Sequence, residues 1–106
     1  MPTLWNDVDT TPGYSPEHPY VRRFWTAVVG PGAVADLLRL VTAARRQRSL
    51  RLPLHVSVLA REGLVRFEHD VLLVRAHVPL LSVKHLQLLP PALRAEHRKL
   101  LPLEER

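Results

Sequence analysis

Large apolar residues recur at helical spacing in the first half of the chain. Between Tyr20 and Val29 they repeat at i, i+1, i+4 and i+5, which predicts a helix with one aromatic stripe that starts near Ser15-Pro16. The string Gly30-Pro31-Gly32 ends this helix and opens a second one. The apolar face of the second helix comprises Val34, Leu37, Leu38, Val41 and Ala44.

Residues 50–62 are compatible with two patterns. At period two, apolar residues alternate with Arg51, Pro53, His55 and Ser57, which predicts a strand with its proline at a sheet edge. At period 3.6, the same proline starts a short helix that ends at Glu62-Gly63-Leu64, as in a Schellman cap. Because the alternation breaks at Leu59-Ala60 while the cap chemistry fits, the helix is favoured, and the strand remains the alternative.

The second half of the chain predicts a hairpin followed by helices. Two β-rich runs, residues 64–67 and 71–78, flank the polar turn Glu68-His69-Asp70. Ser82 precedes a one-sided helix that stops at Pro90, and a last helix follows. One side of the last helix comprises Leu93, His97, Leu100 and Leu101.

The 106 residues therefore predict a single domain of mainly α class with a small β-hairpin. Residues 1–15 form an extended or disordered acidic arm, residues 16–101 the domain and residues 102–106 a tail. Trp5 and Tyr14 either fold back onto the domain or dock on a partner.

The run from Leu59 through Gly63-Leu64-Val65 into a β-hairpin, after two helices, resembles the end of the recognition helix in winged helix-turn-helix domains of bacterial regulators. The resemblance covers residues 17–78. It implies a winged-helix-like three-helix core, followed here by the C-terminal helices, and double-stranded DNA as the partner. It also implies which side chains touch DNA: the groove-facing candidates are His55, Ser57 and Arg61, and the candidates flanking the wing are Arg66 and Arg75.

Charge is distributed unevenly along the chain. The formal net charge is +5, yet residues 1–20 contain three acidic residues and no Lys or Arg, whereas residues 21–66 contain nine arginines against Asp36 and Glu62. Four arginines fall within seven residues, namely Arg45, Arg46, Arg48 and Arg51. Such a cluster releases counterions when it meets a phosphate backbone. The alternative is a solvated helix end, because cations there are favoured by the helix dipole.

Two functions from different classes follow. The first is a small basic DNA-binding protein of the bacterial cytoplasm, a transcriptional regulator or a nucleoid-associated protein, which grips phosphates with the central arginines. Residues 82–101 form its homodimer surface or, alternatively, only complete the core. The second is a protein–protein interaction module of adaptor or antitoxin-like type, without nucleic acid, which presents its acidic N-terminal arm or its hairpin edge.

The sequence lacks the motifs that would indicate cysteine chemistry, membrane insertion, dinucleotide binding or metal binding. Cysteine is absent, no run approaches the ~20 apolar residues of a membrane helix, and no signal peptide is expected. Gly30-x-Gly32-x-x-Ala35 imitates a dinucleotide-binding turn, but the acidic residue expected about 20 positions later is missing. The histidines lack the i,i+3 or i,i+4 pairing of metal ligands. We therefore expect no cofactor, no metal, no membrane contact and no enzymatic activity.

Overall fold

The computed structural model describes residues 2–5 and 13–104. Its helical half starts with a π-helical turn, Val21–Trp25, which continues directly as helix α1 (Thr26–Val29). Gly30 then adopts a φ of 95°, a left-handed conformation that favours glycine, and Pro31 occupies the first position of α2 (Pro31–Arg45). The predicted boundary between the two helices is confirmed.

The aromatic stripe of the first helical segment forms the centre of the core. Tyr20, Phe24 and Trp25 are almost completely buried, and the ring of Tyr20 lies 5.0 Å from that of Phe24. They pack against the buried face of α2, which includes Leu37 and Leu40. The helical spacing identified most of the buried face of both elements. Of the predicted positions, Val28, Val29 and Leu38 are only partly buried, and the buried Leu40 was not among them.

Two small sheets complete the molecule. The larger sheet has the order β1-β4-β3, in which β4 (Val71–Arg75) is the central strand, β1 (Pro2–Trp5) is parallel to it and β3 (Val65–Glu68) is antiparallel. The smaller sheet pairs β2 (Gly13–Tyr14) antiparallel with β5 (Val78–Pro79). The predicted hairpin is confirmed as β3 and β4, with its turn at His69, whose φ is 56°.

The predicted fold class is wrong as stated. The prediction was a mainly α chain with a winged-helix-like three-helix core, in which the hairpin is the only β structure. In the structure, the hairpin belongs to a three-stranded mixed sheet, and a second sheet is present. The difference arises at residues 2–5 and 13–14, which pair with strands about 65 to 70 positions away. Residues 1 and 6–12 of the predicted arm and residues 105–106 of the predicted tail lie outside the described residues.

The segment at residues 50–62 is helical only in its second part. Residues 50–53 have no regular structure, and α3 runs over Val56–Arg61. Gly63 follows with a φ of 76°, and the amide of Leu64 donates to the carbonyl of Leu59 at 2.9 Å, as a Schellman cap requires. The helix that the cap chemistry favoured is confirmed for this part, and the strand alternative is wrong.

Two C-terminal helices cover the core. Ser82 caps α4 (Val83–Gln87) through a capping box in which the His85 ring takes the place of the usual carboxylate or amide. The Nε2 atom of His85 lies 2.7 Å from an oxygen of Glu62, which connects α4 to the end of α3. Residues of α4 and α5 (Pro91–Glu104) pack against the core, including Leu86, Leu93 and Leu100.

A buried polar pair joins the first helical segment to α5. The hydroxyl oxygen of Tyr20 lies 2.6 Å from Nε2 of His97 and accepts the backbone N–H of Leu81 at 3.0 Å. Burial lowers the pKa of His97 below its ordinary value, so the ring is neutral at pH 7. Its Nδ1 atom has no hydrogen-bond partner within the described part of the chain. The hydroxyl of Tyr20 therefore connects the first helical segment to the backbone at Leu81 and to α5.

Candidate functional site

One face of α2 carries residues that do not belong to the apolar core. Gly32, Asp36 and Arg39 are spaced i, i+4 and i+7, which places them on one side of the helix. Residues 50–55 lie against this side, and both segments line a common cavity. The face therefore combines a buried carboxylate with a chain segment that is rich in arginine and leucine.

Asp36 fixes residues 50–55 to the helix. Its side chain is only 3% exposed, and Oδ2 accepts the Nδ1–H of His55 at 2.7 Å and the backbone N–H of His55 at 3.1 Å. The other carboxylate oxygen accepts from Arg39. Burial by itself raises the pKa of Asp36, but the hydrogen bonds from His55 and Arg39 outweigh it and leave the pKa below its ordinary value. We call this arrangement the Asp36–His55 latch.

Gly32 provides the space for the imidazole. A Cβ atom at this position would lie 2.6 Å from Cε1 of His55, closer than real Cβ atoms approach a neighbour, and 3.0 Å from Nε2 of the same ring. Any side chain at position 32 would therefore displace the ring that Asp36 holds. Glycine is required here by a close approach, because its position inside a helix does not otherwise favour it.

Two cavities lie along the side of α2 that carries Gly32, Asp36 and Arg39. The inner cavity, of about 370 Å³, lies between residues 32–39 and residues 50–55, and the outer cavity, of about 430 Å³, lies between residues 38–46 and residues 48–50. Both are lined by Arg39 and Leu50, so they form one continuous depression, which we call the α2 groove.

The α2 groove is strongly basic. Four arginines line it, namely Arg39, Arg46, Arg48 and Arg51, against the single carboxylate of Asp36. Arg39 shares its charge with Asp36, whereas Arg46, Arg48 and Arg51 have no acidic partner among the residues that the structure describes. The structure thus brings together three members of the predicted arginine cluster.

The fourth member of that cluster, Arg45, does not line either cavity. It forms an ion pair with Glu17, and this hydrogen bond, together with one from Ser15, lowers the pKa of Glu17 to about 2. The charge of Arg45 is therefore neutralised by a carboxylate of the chain itself. Between pH 4 and pH 8 this pair is expected to remain ionised.

Of the other predicted DNA contacts, His55 lines the groove, whereas Ser57, Arg61, Arg66 and Arg75 do not. Arg66 pairs with Glu68 at 3.0 Å on the hairpin, and Nε of Arg75 donates to the carbonyl of Gly63 at 2.8 Å. Arg61 lies 3.7 Å from Glu62 at the end of α3. Ser57 is exposed on α3, whereas the ring of His55 is held by Asp36 and lines the inner cavity.

Several groove residues escaped prediction from the sequence. Asp36, Arg39 and Gly32 were not recognised as site residues, although Asp36 is the only acidic residue between positions 18 and 61. Its place beside the buried Leu37 on an apolar helix was the available signal, because a buried carboxylate must find hydrogen-bond partners. The segment before Gly30 is helical. Gly30-Pro31-Gly32 therefore does not follow a strand, as a dinucleotide-binding turn would.

The groove also exposes apolar side chains. Leu50 and Leu54, which line the inner cavity, are 40% and 88% exposed, and Leu52, which lines neither cavity, is 56% exposed in the same segment. Within the described ranges, 2–5 and 13–104, no group of three or more His, Cys, Asp and Glu side chains could hold a metal ion. The groove is therefore a surface of arginine and leucine side chains.

No family model matches this chain, and no curated protein or solved structure is significantly similar to it. In the part of the chain that the structure describes, none of the helices has the length and apolar character needed to cross a bilayer.

Proposed function

We propose that this chain is a small DNA-binding protein that holds the phosphate backbone of double-stranded DNA in the α2 groove. The observation that carries the proposal is the convergence of Arg46, Arg48 and Arg51, each without an acidic partner in the described residues, on one groove. Guanidinium groups bind phosphate oxygens in a bidentate manner, and each neutralised phosphate releases counterions.

The arrangement favours a nucleoid-associated type of protein over a sequence-reading regulator. Phosphate contacts position a protein on DNA without reading its sequence. Of the side chains predicted to face the major groove, His55 is held by Asp36, and α3 is only six residues long. We therefore propose sequence-independent binding, in a cytoplasmic protein associated with the nucleoid.

Fluorescence anisotropy with a labelled duplex of mixed sequence tests the proposal. With three phosphate contacts, log affinity should fall with log salt at a slope of about −2.7, which corresponds to a roughly 40-fold loss between 50 and 200 mM salt. The variant Arg46→Gln, Arg48→Gln, Arg51→Gln should lose nearly all salt-sensitive binding, because it removes the groove arginines that lack a partner.

A matched control removes the same charge elsewhere. Arg22, Arg98 and Lys99 are exposed and line neither cavity of the groove. Replacing all three with glutamine should weaken binding far less than the groove variant does. Equal losses in the two triple variants, or no wild-type binding at 50 mM salt, would reject the proposal.

A protein partner is the second candidate, and the exposed leucines favour it. Leu52 and Leu54 present apolar surface to solvent beside Arg51, which suits an acidic amphipathic helix. Here the variant Leu52→Ser, Leu54→Ser should lose binding to a labelled acidic amphipathic peptide and keep its affinity for duplex DNA. An unchanged affinity for the peptide would exclude a role of these leucines in docking.

A further inference from the structure

The inner cavity differs from the rest of the α2 groove in its chemistry. Its polar lining residues are Asp36, Arg39, Arg51 and His55. Its volume of about 370 Å³ lies within the range of small-molecule sites, about 300 to 1,000 Å³. A backbone phosphate needs only a surface contact, whereas a half-open depression of this size has room for a group larger than one phosphate.

The imidazole of His55 is held in one orientation and one tautomer. Because the carboxylate of Asp36 can only accept, Nδ1 of His55 carries the proton of their 2.7 Å hydrogen bond. Nε2 is then the free nitrogen of the ring, and no group in the described part of the chain hydrogen-bonds it. In this tautomer Nε2 can accept a hydrogen bond from a protonated oxygen of a phosphate group.

The carboxylate of Asp36 does not prevent an anion from binding here. It accepts hydrogen bonds from two N–H groups of His55 and from Arg39, so its oxygens are already occupied. Two guanidinium groups against one carboxylate leave a net charge of +1 around the cavity with His55 neutral. The carboxylate of Asp36 is almost completely buried, whereas the side chain of Arg39 is exposed. A ligand therefore contacts the guanidinium groups rather than the carboxylate.

The remaining walls of the cavity are apolar. Leu50, Pro53 and Leu54 line it, and Leu54 is 88% exposed. A cavity with cationic donors on one part and apolar side chains on another suits a ligand that carries a phosphate group and a flat, weakly polar ring system.

We propose that the inner cavity binds a nucleoside 5′-monophosphate unit, with the phosphate at Arg39, Arg51 and His55 and the nucleoside against Leu50 and Leu54. The unit comes from a free nucleotide or from the 5′-phosphorylated end of a DNA strand. Only the second source rests on the proposed function, because it requires that DNA reach the groove.

Isothermal titration calorimetry of the wild-type chain with adenosine 5′-monophosphate, adenosine and inorganic phosphate tests the site. The nucleotide should bind at least tenfold more tightly than either fragment, because it alone uses both parts of the cavity. Equal affinity for nucleotide and adenosine, or no heat with the nucleotide at millimolar concentration, would overturn the proposal.

Two variants test the geometry. Arg51→Gln should weaken nucleotide binding about tenfold, since it removes a charged hydrogen-bond donor. Gly32→Ala should weaken it comparably, because the new methyl group displaces the His55 ring while alanine remains compatible with the helix. The control Arg22→Gln, Arg98→Gln should bind the nucleotide as the wild type does. Full binding by both cavity variants, with circular dichroism spectra matching the wild type, would overturn the assignment.

Duplexes with and without a 5′-phosphate distinguish the two sources. A gain of about fivefold or more for the phosphorylated duplex, lost in Gly32→Ala, supports the strand end. If the two duplexes bind with equal affinity and calorimetry shows that the nucleotide binds, the free nucleotide is supported as the source. Salt-dependent duplex binding without any nucleotide binding rejects this site alone, whereas nucleotide binding without duplex binding rejects only the proposed function.

Discussion

Tyr20→Phe is expected to lower the free energy of unfolding by about 2 to 4 kcal/mol, although it removes a single oxygen atom. This hydroxyl accepts the N–H of Leu81 at 3.0 Å and lies 2.6 Å from Nε2 of His97, and all three residues are buried. Its loss leaves two buried polar groups without that partner, and each such group costs about 1 to 3 kcal/mol. Urea unfolding at pH 7.5, where His97 is neutral in the folded and unfolded states, measures the effect.

An exposed hydroxyl provides the comparison. Ser57→Ala deletes an oxygen from the exposed face of α3, and surface changes of this kind usually stay within about 0.5 kcal/mol. A destabilisation by Tyr20→Phe that is no larger than that of Ser57→Ala would show that the hydroxyl does not couple the first helical segment to α5.

Local signals predicted the element boundaries because their causes lie within a few residues. The break before α2 follows from Gly30 and Pro31, and the end of α3 follows from Gly63. The start of α4 follows from Ser82, although its capping partner is His85, whose ring nitrogen replaces the expected carboxylate or amide. These features depend on φ preferences and side-chain hydrogen bonds that a single sequence displays.

The sheet could not be predicted in the same way. Strand β1 is four residues long and pairs with β4 in parallel, in the register Pro2 to Leu72. Nothing within residues 1–15 specifies that partner, and a strand of this length gains its stability from the pairing itself. For this reason the fold class predicted from the sequence contains only a hairpin, whereas the structure contains a three-stranded mixed sheet.

The candidate site was predicted in part for a related reason. A run of arginines is visible in the sequence, but which of them remain available depends on acids far along the chain, such as Glu17 for Arg45. Asp36 looked like an ordinary charge on a helix, and its contact with His55 spans 19 positions. Contacts between residues far apart in the sequence therefore determine both the pairing of the strands and which arginines are available in the groove.

Asp36→Asn is expected to lower the free energy of unfolding by about 2 to 3 kcal/mol. The carboxylate accepts two N–H groups of His55 and one group of Arg39, whereas the amide turns one acceptor into a donor that faces other donors. The exposure of Arg39 and His55 keeps the loss below that of a fully buried ion pair. Urea unfolding at pH 7 measures it.

The same substitution should weaken duplex binding even though it raises the net charge by one. If electrostatic attraction alone governed the groove, Asp36→Asn would bind DNA more tightly. If the Asp36–His55 latch holds residues 50–55 in place, the variant leaves Arg48 and Arg51 on a loosened segment and loses affinity. The sign of the change in anisotropy-derived affinity therefore separates the two explanations.

Acid provides an independent check of the latch. The folded pKa of Asp36 lies below its unfolded value of about 3.9, so its contribution to stability is present above pH 4 and is lost as the pH falls through the folded pKa. The difference in stability between wild type and Asp36→Asn should therefore shrink as the pH falls from 5 to below 4. The control Glu68→Gln removes one negative charge from the exposed hairpin and should change stability by less than about 0.5 kcal/mol. An Asp36→Asn variant as stable as this control, with tighter DNA binding, would contradict a latch that orders the groove.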